Sequence, residues 1–216
     1  RRYDDQSHDK PAHETWYDVQ LVLRDASLAR DASTFLQSLP EAAAGQARPP
    51  AKTSILLTTL SRGRRPSLFS LSPKTIDDSI LQEHLRQILT AKRFIYIETQ
   101  YFRDRRIAKA LISAANRYPD LRFLLLLPAA PDDGSTSLDA RFGEYLQTRA
   151  IRKVRKAFGE RFFVVSPVQP RPIAQQHSDQ DRAELGSAPI VYVHAKVAIF
   201  DDISAIVGSA NLNGRS

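Results

Sequence analysis

The densest chemistry in this sequence lies close to its last residues. His194 and Lys196 stand one residue apart in the run Pro189 to Phe200, followed by Asp201-Asp202, then Ile203 to Val207, then Gly208-Ser209-Ala210-Asn211. The run around His194 reads as a strand, and strand side chains alternate, so the imidazole and the ammonium share one face while Val193, Ala195 and Val197 take the other. Asp201-Asp202 supplies turn chemistry and Ser204 to Val207 reads as the returning strand, so a hairpin brings Gly208 to Asn211 beside His194. Gly208 permits close backbone approach, and the Ser209 hydroxyl and Asn211 amide can donate to phosphate oxygens. Such a set suits phosphodiester chemistry. The imidazole attacks phosphorus or protonates a leaving oxygen while the donors neutralise charge on the non-bridging oxygens, and neither a metal nor a cofactor is required. One placed histidine contributes roughly 10²–10⁴-fold, so a second histidine is expected.

The elements that must position these residues can be read from pattern. Trp16 to Leu23 is β-branched and aromatic enough for a strand. Ala26 to Leu39 carries Leu28, Phe35 and Leu36 on a helical face closed by Pro40, and Glu41 to Lys52 reads as a linker. Ser54 to Leu60 predicts a strand leading into the basic loop Ser61 to Pro66. Thr75 and Asp78 resemble a capping box opening a helix that ends near Ala91, with Ile76, Ile80, Leu81, Leu85 and Ile88 on one face. Beyond it the pattern predicts strand Phe94 to Glu98, helix Arg106 to Arg117, strand Leu121 to Leu127, helix Ser137 to Phe158 and strand Phe162 to Val165, with Ser166 to Ser187 a loop. Strands alternating with helices imply an α/β fold, a mixed β-sheet flanked by helices.

Composition narrows the classes further. With 216 residues, 42% apolar and 25% charged, the chain can bury a sizeable core. It has no cysteine, which excludes a disulfide scaffold, a thiolate nucleophile and a sulfur-built zinc site, and leaves the redox compartment open. Its longest strongly apolar run, Phe123 to Leu127, is far short of the roughly 20 residues a spanning helix needs. A net charge of +7 suggests an anionic partner: nucleic acid, an acidic membrane surface or a phosphate-bearing substrate. The chain starts at Arg1 and contains no methionine, which marks it as a piece of something longer.

The spacing His-x-Lys-x4-Asp-x6-Gly-Ser-x-Asn, carried by His194, Lys196, Asp201, Gly208, Ser209 and Asn211, resembles the signature of the phospholipase D superfamily. Phe94-Ile95-Tyr96-Ile97-Glu98-Thr99-Gln100-Tyr101-Phe102 is similar to another segment of that family, departing at Thr99 where Asn is usual, and Trp16-Tyr17-Asp18-Val19 is similar to the Trp-His-Asp-Val that follows the family's first catalytic motif. The bacterial and cardiolipin-synthase-like branch is the nearest in pattern. The resemblance implies a two-lobed enzyme in which one histidine forms a phosphohistidine and the other serves as acid, then base, on a phospholipid or other phosphodiester. Here it implies residues 1–45 as a remnant of the first lobe and 46–216 as the second, catalytic lobe, with the first His-x-Lys lost upstream and the fragment alone inactive. His194, Lys196 and Asp201 become the catalytic motif, Asp201 mainly bracing the hairpin, and Ser209 and Asn211 bind phosphate. Asp18 would orient the missing first histidine, Glu98 would face the site or pair with an arginine, and the carboxylate orienting His194 would follow Ser216.

Two rivals stay open: a nuclease of the same superfamily completed by dimerisation, with nucleic acid the less expected partner, and a non-catalytic lobe binding anionic lipid. His8, His13, His84 and His177 read as ordinary surface residues. Thr148 to Phe158, with Ile151, Val154 and Phe158 among Arg149, Arg152, Lys153, Arg155 and Lys156, reads as a helix packed on the sheet with a basic outer face, the alternative being an interfacial helix in peripheral contact with an anionic membrane. Headgroup, acceptor, oligomeric state and location are not legible.

Overall fold

The structure is a computed structural model that describes residues 16–46, 49–50, 55–63, 73–129, 138–168, 184–185 and 188–213. The chain divides into two compact units, residues 1–21 with 85–215, and residues 22–84 with 216. The first holds a five-stranded sheet built from β4 (Phe94–Glu98), β5 (Arg122–Leu126), β6 (Phe162–Val165), β10 (Val197–Phe200) and β11 (Ser204–Val207), in the order β11-β10-β4-β5-β6. Strands β4, β5 and β6 are parallel, β10 runs antiparallel to β4, and β11 antiparallel to β10. The α/β expectation of a mixed sheet with helices is met.

Parallel neighbours need long crossovers, and the sequence supplies them as α3 (Arg105–Arg117) between β4 and β5 and α4 (Leu138–Phe158) between β5 and β6. Asp104 caps α3, accepting from the amides of Arg106 and Ile107. Ile107, Leu111 and Ala114 on α3 and Ala150, Val154 and Phe158 on α4 follow helical spacing and are buried. They pack with the alternating Ile95 and Ile97, Phe123 and Leu125, and Ala198 and Phe200 of the sheet as its apolar core. Phe123 stacks on Phe162 at 4.8 Å between centroids.

Strand β10 turns into β11 through Asp201 and Asp202, both in the left-handed region at φ 53° and 57°. Aspartate tolerates that conformation better than most residues and it matches the twist of a hairpin. The Asp201 carboxylate accepts from the backbone amides of Lys92, Arg93 and Phe94, each at 2.8 Å. These donors, after the opposing effect of burial, hold its carboxyl below the usual value of 3.8.

The second unit contains α1 (Ala26–Ala44), β2 (Thr59–Arg62) and β3 (Lys74–Asp78), the two strands being antiparallel, and the first part of α2 (Ser79–Thr90), which crosses the boundary between the units. Here the sequence reading needs correction. Pro40 lies inside α1, where both it and Leu36, the residue one turn back whose carbonyl a proline cannot bond, are exposed to water. The helix ends instead at Gly45, at φ 76°, with Gly45 N–H donating to Ala42 and Gln46 N–H to Glu41, so Glu41 to Ala44 is helix and not linker. Helix α2 begins at Ser79, since Thr75 is spent in the β3 pairing and Asp77 accepts from the Ser79 amide at 2.9 Å and from the Thr58 hydroxyl. The strand expected over Ser54 to Leu60 is displaced to Thr59–Arg62. The strand expected over Trp16 to Leu23 is only β1 (Trp16–Tyr17), in the first unit, and Leu21, Val22 and Leu23 are exposed, because strand propensity needs a neighbouring edge to pair with. Residues 64 to 66 of the basic loop lie outside the described residues.

Asp201→Ala removes the carboxylate that accepts from three backbone amides and places alanine at positive φ, so it should cost about 2 kcal/mol in urea unfolding, with Asp201→Asn milder. Because the folded carboxyl titrates below its unfolded value of 3.8, this contribution is complete above that value and fades as pH falls through the lower folded one. An unchanged unfolding midpoint would remove the bracing role.

Candidate active site

The parallel strands end at Glu98 on β4 and Leu126 on β5, and the first residue of β10, Val197, pairs with Glu98. The site gathers at this carboxyl edge, the place where open α/β sheets leave a crevice. Strand β1 pairs in parallel with β9 (Tyr192–Val193), Trp16 opposite Tyr192 and Tyr17 opposite Val193. The Tyr17 carbonyl then accepts from the amides of both His194 and Ala195, at 2.8 and 3.1 Å. Residues 194–196 therefore form a short unpaired link between β9 and β10 in place of the continuous strand expected. Val193 and Ala195 are buried, but Lys196 is buried too, and its Nζ donates to the His194 carbonyl.

One residue past β1, the chain turns its carboxylate onto the histidine: His194 Nδ1 donates to Asp18 Oδ2 at 2.9 Å. The β1–β9 register thus brings Asp18 to His194 itself, where the resemblance implied a meeting with the other histidine of the pair. With Nδ1 committed to Asp18, Nε2 is left with its lone pair for a reacting atom. Burial opposes charge on Asp18, but the His194 hydrogen bond, the Val19 amide and the charges of His194 and Lys196 hold its carboxyl below 3.8. Burial lowers the Lys196 ammonium to about 8, with Asp18 partly offsetting it. The Trp16 ring stacks on the imidazole at 4.6 Å and 18° and holds its plane.

On the other side, Gly208 N–H donates to the Lys196 carbonyl at 3.1 Å, so the hairpin delivers the Gly208 to Asn211 bend to the motif as expected. Asn211 Nδ2 donates to Gln100 Oε1 at 3.2 Å and Gln100 Nε2 to the Tyr192 hydroxyl at 2.7 Å, while Asn211 Oδ1 is buried with no partner among the described residues. Ser209 is exposed on the same bend. Glu98 is buried and accepts from the Tyr96 hydroxyl at 3.0 Å. Among the described residues no arginine pairs with it, and Oε1 has no partner. Burial first, and the Asp18 charge in addition, push its carboxyl up, which sets Glu98 within the electrostatic reach of the site. Asp201 sits at the opposite end of β10 from His194, and its oxygens accept from backbone amides.

Trp16, Gln100 and Tyr192 belong to the site but had no role assigned from sequence; the similar segments around Trp16 and Gln100 were the signal available. His84 is buried in the second unit, where its Nδ1 donates to the Ile80 carbonyl at 2.8 Å, and is not the surface residue expected. His8, His13 and His177 lie outside the described residues. Among the described residues no cluster of three or more His, Asp or Glu could hold a metal ion, and no helix is long and apolar enough to cross a membrane.

A histidine oriented by a carboxylate, a buried ammonium and an amide-bearing bend, set at the edge of a mixed sheet, define a class. Residues 84–216 match the family model described as cardiolipin synthase, PLD-like domain, and the chain belongs to that family. It is 28% identical over 167 residues to phospholipase D2 of Bos taurus and 27% identical over 176 residues to phospholipase D zeta 1 of Arabidopsis thaliana. The matches cover 67% and 71% of this chain but only 18% and 16% of those proteins. Two solved structures are also similar. NucT from Helicobacter pylori is 20% identical, covering 61% of this chain and 66% of that one at a TM-score of 0.39. A phospholipase D family member, Nuc from Salmonella typhimurium, is 19% identical, covering 62% and 65% at 0.39.

Trp16 is the sole tryptophan, so its emission reports on the ring beneath it. His194→Ala should brighten that emission, because it removes the ring stacked on the indole. Identical emission in the two proteins would mean the rings are not stacked.

Proposed function

We propose that this chain supplies one of two catalytic histidines of a phospholipase D-type phosphodiesterase or phosphatidyltransferase acting on phospholipid phosphodiester bonds. The observation that carries the reading is the Asp18–His194 hydrogen bond at 2.9 Å with Lys196 beside it, which presents an oriented Nε2 and a fixed cation to the same space. In the first step one imidazole nitrogen attacks phosphorus. A P–N bond forms as the P–O bond to the leaving alcohol breaks, and the second imidazole gives its proton to that oxygen. In the second step the neutralised imidazole takes a proton from water or an alcohol, whose oxygen attacks phosphorus and releases the first histidine. Lys196 and the Asn211 amide stabilise charge on the non-bridging oxygens. Asp18 stabilises the imidazolium form of His194 in either role, as a buried carboxylate does for a general base.

The second imidazole belongs to a motif of the same type in the other lobe, residues 1–45 being the remnant of that lobe and 46–216 the catalytic one. The phospholipase names of the curated relatives support a lipid substrate, and the +7 charge suits an anionic diester. Hydrolysis and transfer use the same residues and differ in what reaches the intermediate.

In the active two-histidine assembly, His194→Ala should lower turnover of a phosphatidyl diester by roughly 10³-fold or more and Asp18→Asn by roughly 10²–10⁴-fold, with unfolding midpoints little changed. A primary alcohol added to the wild type should divert product to the phosphatidyl alcohol; appreciable turnover by His194→Ala sinks the assignment. The Lys196 cation is present below about pH 8 and lost above it, so kcat/KM should fall as pH rises through that value. Lys196→Arg, charged at every accessible pH, should lack this break; a break that persists would assign it to another group.

A further inference from the structure

Helix α4 has two faces of opposite character. Its inner stripe of Gly143, Ala150, Val154 and Phe158 is buried. Its outer side carries every exposed residue from 141 to 156: Arg141, Phe142, Tyr145, Thr148, Arg149, Arg152, Lys153, Arg155 and Lys156. None of these is a carboxylate; Glu144 is half-buried on the flank. At 3.6 residues per turn Arg141, Tyr145, Arg149, Arg152 and Lys156 stack along one line, with Phe142 and Lys153 just beside it.

The first turns add something that a solvated basic helix does not need. Phe142 and Tyr145 are 60% and 57% exposed, and their rings lie together at 6.5 Å between centroids. Two exposed aromatics amid cations form an amphipathic strip, apolar at one end and positive along its length. That end is also the one nearest the reaction. Gln147 accepts from the Phe102 amide at 3.0 Å, the Arg103 and Asp104 amides both donate to the Leu212 carbonyl, and Leu212 follows Asn211 of the site. The Arg103 guanidinium lies against Gly143, where a side-chain carbon would come within 2.4 Å of it, and over the Tyr101 ring at 4.2 Å.

We propose that the outer face of α4 docks on an anionic lipid bilayer, with Phe142 and Tyr145 entering the headgroup boundary and the arginine and lysine row held by lipid phosphates. The charge of the face is complementary to such a surface, and its aromatic pair suits the boundary between acyl chains and water. The surface is argued from α4 alone and does not depend on the chemistry assigned to His194.

Co-sedimentation with vesicles of phosphatidylcholine, alone or with about one third phosphatidylglycerol, tests it. The protein should bind the anionic vesicles at least roughly tenfold more tightly, and Phe142→Ser with Tyr145→Ser, or Arg149→Glu with Arg152→Glu, should each weaken that binding roughly tenfold or more while circular dichroism is unchanged. In a Trp16→Phe background, Phe142→Trp keeps the helix intact, and its emission should shift to the blue on anionic vesicles only. His194→Ala should bind as the wild type does, which separates this surface from the catalytic reading. Equal binding to both vesicles, unaltered binding by the α4 variants or an unshifted emission overturns the proposal. Tighter binding to a single-stranded oligonucleotide than to anionic vesicles, lost in the same variants, also overturns it and assigns the face to nucleic acid.

Discussion

The site depends on one short stretch of backbone pairing. Two residues of β1 lie parallel to two of β9, and the Tyr17 carbonyl closes the register by accepting from both His194 and Ala195. Without it neither Asp18 nor Trp16 would reach the imidazole, since both lie more than 170 positions away in the chain. So short a ladder cannot stand alone in water; an isolated two-stranded pairing is marginal at best. It persists through what it carries: a charge-assisted hydrogen bond from imidazole to carboxylate, and a ring stacked on that imidazole.

The remainder of the first unit is arranged to keep the other half of the site still. Strand β10 is anchored at both ends, by Val197 pairing with Glu98 and by Asp201 gathering the three amides that lead into β4. The hairpin returns as β11 and leaves Gly208 against the Lys196 carbonyl. Asn211, Gln100 and Tyr192 then link the bend, the end of β4 and β9 by hydrogen bonds. Burial of Lys196 and Glu98 follows from this closure. Removing water weakens the charged form of each, and the nearby Asp18 charge offsets the effect for the lysine and deepens it for the glutamate.

Buried helices and strands were readable wherever one periodicity dominated. Strands β4 and β6 and helices α3 and α4 fall within a residue or so of the predicted limits, because their apolar residues repeat with the period of the element and each is bounded by a turn signal. The described residues before Leu85 were less legible. Pro40, the Thr75 to Asp78 run and the Trp16 to Leu23 run each carry a strong local signal that a neighbour or solvent overrode. A proline on an exposed face need not stop a helix, a capping pattern yields to a strand partner, and a β-rich segment without an edge stays unpaired.

The residue types and spacing of His194, Lys196, Gly208, Ser209 and Asn211 suggested phosphodiester chemistry by themselves, because a hairpin returns its second strand beside its first, and they carried the resemblance to the family. The bracing role of Asp201 came with the resemblance, and the amides it binds, those of Lys92, Arg93 and Phe94, lie on a distant segment that only the fold brings to the turn. What only the tertiary structure decided was partnership across distance. That Asp18 hydrogen-bonds His194, that Trp16 covers its ring, and that Glu98 is buried with no arginine partner among the described residues are consequences of strand register. Register between segments so far apart is set by the packing of the whole sheet and not by any local preference of the residues that meet.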